Sequence, residues 1–233
     1  MHEPTITLTN VSKKYVRQQA LAPLDLSLDH NGIVGLIGPN GSGKSTLLKL
    51  MAGLAQPTTG SITLAGKKIT RRASEHIAFL AEIDSLYSSH TVKEAIQFFD
   101  GATTDFSREK AEEMLDKLKV DLHQKIRRLS KGNRARVKLV LTLSRNVPIL
   151  LMDEPLSGLD PLVREDILKM IVSYVDVEKQ MVILSTHEVS EVEPFLDYVI
   201  FMKSGSVLLN EKVETLREER RINLVEVMRE VLQ

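Results

Sequence analysis

Apolar residues fall along this chain in two rhythms, and the change between them divides it. Thr5-Ile6-Thr7-Leu8-Thr9, Leu24-Asp25-Leu26-Ser27-Leu28 and Ser61-Ile62-Thr63-Leu64 alternate polar with apolar side chains, the period of a half-buried strand. Ile33-Val34-Gly35-Leu36-Ile37, Ile149-Leu150-Leu151-Met152 and Met181-Val182-Ile183-Leu184-Ser185 are unbroken apolar runs, as in strands covered on both faces. Tyr198-Val199-Ile200-Phe201-Met202 and Ser206-Val207-Leu208-Leu209 flank Ser204-Gly205 as a hairpin. Residues 10–17 read as a turn carrying Tyr15. Asn31-Gly32 reads as a tight turn into the next strand, and residues 56–60 as a break.

Between residues 91 and 146 the apolar spacing lengthens to three and four. Val92, Ala95, Ile96, Phe98 and Phe99 group on one helix. Ala111, Met114, Leu115 and Leu118 share a face of a second, for which Ser107 or Asp105 can serve as N-cap. A third helix spans about residues 131–144. Helical patterns return at 161–175, briefly at 188–195, and in a charged segment from Glu211 to the end. There Arg217, Arg220 and Arg221 alternate with glutamates, while Ile222, Leu224, Val225, Val227 and Met228 offer apolar surface. That surface can cover the chain's own core or a second subunit. The expected fold class is α/β: a mostly parallel central sheet, an antiparallel β-subdomain and an inserted α-helical lobe. Residues 1–82 and 147–211 form the core, 83–146 the lobe and 212–233 a C-terminal helix, with no internal repeat.

The strand at 33–37 runs directly into Gly38-Pro39-Asn40-Gly41-Ser42-Gly43-Lys44-Ser45-Thr46, followed by the amphipathic Leu47-Leu48-Lys49-Leu50-Met51. Strand, glycine-rich turn and helix N-terminus, at the spacing G-x-x-x-x-G-K-[ST], make the phosphate cradle of a P-loop NTPase. Backbone N–H groups point inward and the helix end adds partial positive charge. Lys44 can reach the β- and γ-phosphates, and the Ser45 hydroxyl can ligate Mg²⁺. A second acidic motif follows the strand at 149–152. Asp153 at its C-terminal end can hold Mg²⁺ through water, and Glu154 can polarise the water that attacks the γ-phosphate. Without the cradle, two acids in that place would read as a helix N-cap.

Composition removes several classes. Lys+Arg and Asp+Glu number 31 each, so no net field draws the 233-residue chain to nucleic acid or anionic lipid. The seven basic residues from Lys125 to Lys138 read as a face turned to solvent, nucleotide or partner. The absence of cysteine excludes disulfides and cysteine-ligated metal centres, and the six histidines fall at no zinc spacing. Met1-His2-Glu3-Pro4-Thr5 lacks the regions of a signal peptide, and no uncharged apolar run approaches the roughly 18–20 residues that span a bilayer. A soluble chain is expected, with any membrane role exerted through a partner.

Leu129-Ser130-Lys131-Gly132-Asn133 opens a helix between the two nucleotide motifs. It resembles the Leu-Ser-Gly-Gly-Gln signature of the ATP-binding subunits of ABC transporters, and the resemblance extends over residues 5–210. It implies that Ser130 and Gly132 meet a second phosphate, that Tyr15 stacks on adenine, and that Ser157-Gly158-Leu159-Asp160 is the D-loop. Ser185-Thr186-His187 is similar to the switch-histidine segment, which implies that His187 contacts the γ-phosphate and orients the attacking water. Two departures stand out. Lys131 and Asn133 replace signature residues, Lys131 either adding charge near a phosphate or pointing to solvent. In Phe79-Leu80-Ala81-Glu82, Glu82 stands where the family carries glutamine, implying a carboxylate rather than an amide beside Mg²⁺.

The same resemblance implies ATP and Mg²⁺ as ligands and ATP hydrolysis as the reaction. One copy's residues 38–46 would be closed by another's Ser130, Gly132 and Asp160, hence a head-to-tail homodimer or a heterodimer with a second ATP-binding subunit. Separate transmembrane permease subunits would hold the chain at the cytoplasmic face of the cell membrane, and no nucleic-acid partner is expected. Glu82 and Leu-Ser-Lys-Gly resemble the bacterial exporter-like subgroup, which implies export. Soluble ABC proteins of ribosomes or DNA, with tandem cassettes or long coiled-coil insertions, fit less well. A regulatory module without turnover is opposed by Glu154 and His187.

Overall fold

In the computed structural model, which describes residues 5–220 and 223–232, the alternating N-terminal segments pair into an antiparallel sheet. Strand β1 (Ile6–Tyr15) lies between β2 (Gln18–Leu28) and β4 (Thr59–Leu64), and the short β5 (Lys67–Lys68) edges the sheet. The unbroken apolar runs form a second sheet of six strands. Its order is β10 (Ser206–Lys212), β9 (Tyr198–Lys203), β3 (Gly32–Ile37), β8 (Met181–Thr186), β7 (Ile149–Met152) and β6 (Ile77–Leu80). Only the β9–β10 hairpin is antiparallel.

Period-two geometry sorts the six-stranded sheet's side chains into two cores. Val34, Leu36, Ile149, Leu151, Met181, Ile183, Ile200 and Met202 pack toward helix α1 (Lys44–Met51) and the antiparallel sheet. Ile33, Ile37, Leu150, Met152, Val182, Leu184, Val199 and Phe201 face the opposite way. That second face is covered by α4 (Lys131–Leu143) and α5 (Pro161–Tyr174), and its core continues into α2 (Val92–Ala102) and α3 (Arg108–Lys117). Each fully buried Leu, Ile or Val is worth about 1.5–3 kcal/mol, so burial on both faces explains why these strands show no alternation. The helical segment therefore shares a core with the sheet.

Local chemistry sets the helix starts. Thr91 and Glu94 form a reciprocal capping box on α2, and Ser107 Oγ accepts Lys110 N–H at the start of α3. Asp105, the other candidate cap, is engaged by Arg145 instead.

Four expectations are corrected. Residues 10–17 are not a turn: β1 runs to Tyr15, and only Val16-Arg17 turn before β2. Register shifts between Leu8 and Val11 and again before Lys14, with Asn10 at φ 49°, break the alternation that would mark the strand in sequence. Asn31-Gly32 is not a tight turn: residues 29–31 pass without a turn from β2 to β3, which belong to different sheets, and Asn31 Nδ2 donates to Glu178 O there. The segment at 188–195 divides into α6 (Val189–Val192) and a 3₁₀ turn containing Pro194. From Glu211 onward β10 continues to Lys212, followed by two helices, α7 (Val213–Arg220) and α8 (Leu224–Leu232), in place of one.

Asn223 starts α8 with its own box: Asn223 Oδ1 accepts Glu226 N–H and Glu226 Oε2 accepts Asn223 N–H. Leu224 and Val227 are buried in the chain's own core, the first of the two possibilities raised by that apolar stripe. Residues 1–4, Arg221 and Ile222 lie outside the described residues, as does the side chain of Arg220. No helix among the described residues is long and apolar enough to cross a membrane.

Candidate nucleotide site

Strands β3, β7 and β8 bring three loops together at their C-terminal ends. Residues 38–43 leave β3 and enter α1 at Gly43, whose left-handed φ of 104° turns the chain without a side-chain cap. The first N–H groups of α1 are thus open to an anion. The loop is braced from behind: Gly205 N–H donates to Ser42 O at 2.9 Å, and Ala22 N–H donates to Gly205 O at 3.0 Å. The six-stranded sheet and the antiparallel sheet thus meet beneath it.

Lys44 is 5 % exposed and points back over the loop, donating to Gly38 O at 2.7 Å and Pro39 O at 3.2 Å. Its Nζ also lies 3.3 Å from Glu154 Oε1. An ammonium shared by two carbonyls and a carboxylate marks the pole of positive charge in the loop. Ser42 Oγ is buried without a hydrogen-bond partner among the described residues, a group that a phosphate oxygen would satisfy.

Asp153, 2 % exposed at the end of β7, collects two hydroxyls on one oxygen: Ser45 Oγ donates at 2.8 Å and Ser185 Oγ at 3.0 Å. Ser185 Oγ in turn accepts Glu154 N–H at 2.8 Å. Sequence reasoning placed Ser185 in the switch segment but did not find this role; a polar residue closing the apolar run of β8 was the available signal. Glu154 itself takes φ 46°, a left-handed conformation unusual for a residue with a side chain. Its carboxylate, 9 % exposed, spans from Lys44 to His187, with Oε2 3.0 Å from His187 Nδ1.

A cavity of about 440 Å³ opens over these groups, lined by Tyr15, Glu82, Glu154, Ser157, His187 and residues 40–46. Gln18 and Ala20 of β2 also line it and were not foreseen, because their strand is legible only once β1 is seen to end at Tyr15. Tyr15 stands at the mouth, 44 % exposed, with Lys13 Nζ 4.8 Å from its ring centre. Ser45 Oγ beside Asp153 is a donor set that fits Mg²⁺, which binds through one or two carboxylates and keeps waters and phosphate oxygens for its other positions. No group of three or more acidic or histidine side chains gathers as a metal cluster among the described residues.

Glu82 reaches this cavity from the other side. Lys138 of α4 donates to the carbonyls of Ala81, Glu82 and Ile83 and fixes that segment. Burial is the main influence on Lys138 and pulls its pKa below the ordinary lysine value, opposed by the charges of Asp84, Glu82 and Asp153.

Ser130, Gly132 and Asp160 are not brought to the same cavity. Ser130 Oγ accepts Asn133 N–H at the head of α4, and Asp160 Oδ1 accepts Val163 N–H at the head of α5. Lys131 is exposed, and its Nζ lies beside the 157–160 loop: a methyl group on Gly158 would lie 2.4 Å from it. In the basic run, Arg134 pairs with Asp84 and Arg136 with Asp166, so part of that charge is spent inside the chain.

Comparison with known proteins agrees with this geometry. The family model for ABC transporters matches residues 21–157. The uncharacterized ABC transporter ATP-binding protein YxlF of Bacillus subtilis is 32 % identical over 226 residues, covering 94 % of this chain and 75 % of that protein. The sulfate/thiosulfate import ATP-binding protein CysA of Synechococcus elongatus is 33 % identical, over 87 % of this chain and 61 % of its own length. Among solved structures, the dimeric post-hydrolysis state of the ATP-binding cassette MJ0796, bound to ADP and Pi, is 26 % identical. It matches with a TM-score of 0.78 over 89 % of this chain and 98 % of that one.

Proposed function

The chain belongs to the ABC transporter family as an ATP-binding subunit with ATPase activity, and from that premise we propose that it powers export through separate transmembrane subunits, two ATP-binding subunits closing on ATP. The observation that carries the reading is Glu154, partly buried, backbone-strained and held between Lys44 and His187 at the lip of the cradle.

In this mechanism Lys44 leaves the Gly38 and Pro39 carbonyls for the β- and γ-phosphate oxygens. Glu154 accepts the proton of the attacking water, and His187 holds that carboxylate and the γ-phosphate in register. Tyr15 stacks on adenine at the cavity mouth. Ser45 and Asp153 would hold Mg²⁺, with Glu82 as its sensor, and the ion when bound would supply charge that offsets the phosphate oxygens.

The helical lobe, residues 83–146, carries Ser130 and Gly132 away from this cavity, which supports their use on a partner's nucleotide. Asp160 joins that interface. The partner is a second copy or a related ATP-binding subunit. Export rests on Glu82 and Leu-Ser-Lys-Gly, and the importer among the relatives makes direction the point to test. The permease holds the chain at the cytoplasmic face of the membrane.

Glu154→Gln tests the core of the reading. Hydrolysis is expected to fall by about 10²–10⁴ while Mg·ATP binding persists and light scattering reports a dimer. A variant that stays monomeric at saturating Mg·ATP, alone and beside its permease, overturns the closure. For direction, substrates that stimulate the reconstituted complex from the nucleotide side support export. Stimulation only from the opposite face overturns it.

A further inference from the structure

Arg164, on the first turn of α5, lines no part of the cradle cavity, yet it joins two loops that border it. Its Nε donates to Leu159 O at 2.9 Å, inside the 157–160 loop. Its Nη1 donates to the carboxylates of both Glu188 and Glu191, and Nη2 lies 3.5 Å from Glu188 Oε1. Glu188 is the next residue after His187, and its Oε1 stands 3.8 Å from His187 Nε2. The other ring nitrogen faces Glu154.

We propose that Arg164 is a positioning residue for ATP hydrolysis, clamping residues 188–191 to the Leu159 carbonyl and so fixing His187 against Glu154. The inference rests on the ATPase reading above. Two carboxylates compete for the imidazole, Glu154 on one side and Glu188 on the other, while Lys44 occupies the far oxygen of Glu154. The guanidinium holds Glu188 off by engaging both of its oxygens. A planar fork with donors in three directions serves a carbonyl and two carboxylates together; an ammonium is a single point of charge. The side chain is 19 % exposed, so these charge-assisted bonds are partly shielded from water. The clamp also links the 157–160 loop to His187, so a shift of one moves the other.

The test is a cycle in the full chain. Arg164→Gln is expected to lower kcat by about tenfold with KM for ATP changed less than twofold, and Arg164→Lys to recover part of it. In a His187→Ala background, Arg164→Gln is expected to lower the residual single-turnover rate no further, because its effect passes through the imidazole. An equal fold-loss in both backgrounds, or native kcat in Arg164→Gln, overturns the proposal. Should Arg164→Gln fail to fold, Arg164→Lys carries the same cycle. If Glu154→Gln and His187→Ala themselves leave hydrolysis intact, the ATPase site is what fails, not the clamp alone.

Discussion

Glu154 Oε2 lies 3.0 Å from His187 Nδ1, although the two residues are 33 positions apart and sit on loops after different strands. Neighbouring parallel strands β7 and β8 place their C-terminal ends side by side, Met152 opposite Leu184, and the loops that follow inherit that register. The pair is therefore a product of sheet register, reinforced by Ser185 beneath it.

Ser185 holds the site from inside the sheet. Ser185→Ala leaves Glu154 N–H without its acceptor and removes one hydroxyl from Asp153, in a place where neither is replaced by water. A loss of about 1–3 kcal/mol is expected in denaturant unfolding, with a larger Mg²⁺ requirement for hydrolysis in a titration of the ion.

Asp105 and Arg145 form a two-pronged ion pair where α3 begins and α4 has ended, and Arg145 Nη2 also donates to Ser74 O at 2.6 Å. Arg145 is 7 % exposed. Asp105→Ala should cost about 3–5 kcal/mol because it strands a buried charge. Adding Arg145→Met should return part of that stability, measured by urea unfolding of the single and double variants.

A methyl group on Gly38 would lie 2.3 Å from Met202 O, a backbone atom that cannot swing aside. Gly38→Ala is expected to abolish ATP binding in equilibrium titration. Gly101 in α2 meets nothing within 4 Å, so Gly101→Ala should leave binding unchanged and stabilise the helix by about 0.5–1 kcal/mol.

Glu94 closes the α2 capping box, accepting Thr91 N–H at 2.6 Å, and this bond followed by that of the Thr91 hydroxyl holds its pKa below 4.5. Near and below 4.5 the unfolded chain binds more protons at this group than the folded one. Its contribution is complete above 4.5 and lost as pH falls through the lower folded value. Glu94→Gln should flatten the acid limb of Tm against pH, leaving the difference from the native chain largest at neutral pH. Equal slopes in melts from about pH 6 to pH 3 would show that the box adds nothing.

The cradle, the acidic pair after β7 and the apolar strands β3, β7, β8 and β9 were legible in the chain itself. Their chemistry is local: a strand, a glycine-rich turn and a helix N-terminus within some twenty residues declare a phosphate site, and burial on both faces leaves unbroken apolar runs. The Ser107 cap of α3 was equally local in origin. What required the tertiary structure depends on partners far away in sequence. The bulged register of β1 hid a strand inside polar residues, and the path of the chain from one sheet to the other made Asn31-Gly32 a crossing instead of a tight turn. Ser185 beneath Asp153 and Glu154, Arg145 on Asp105, and Arg164 across Leu159, Glu188 and Glu191 are ordinary residues by type. A hydroxyl or a guanidinium acquires a role only when folding removes water and fixes its acceptors within reach, and no spacing along the chain records that distance.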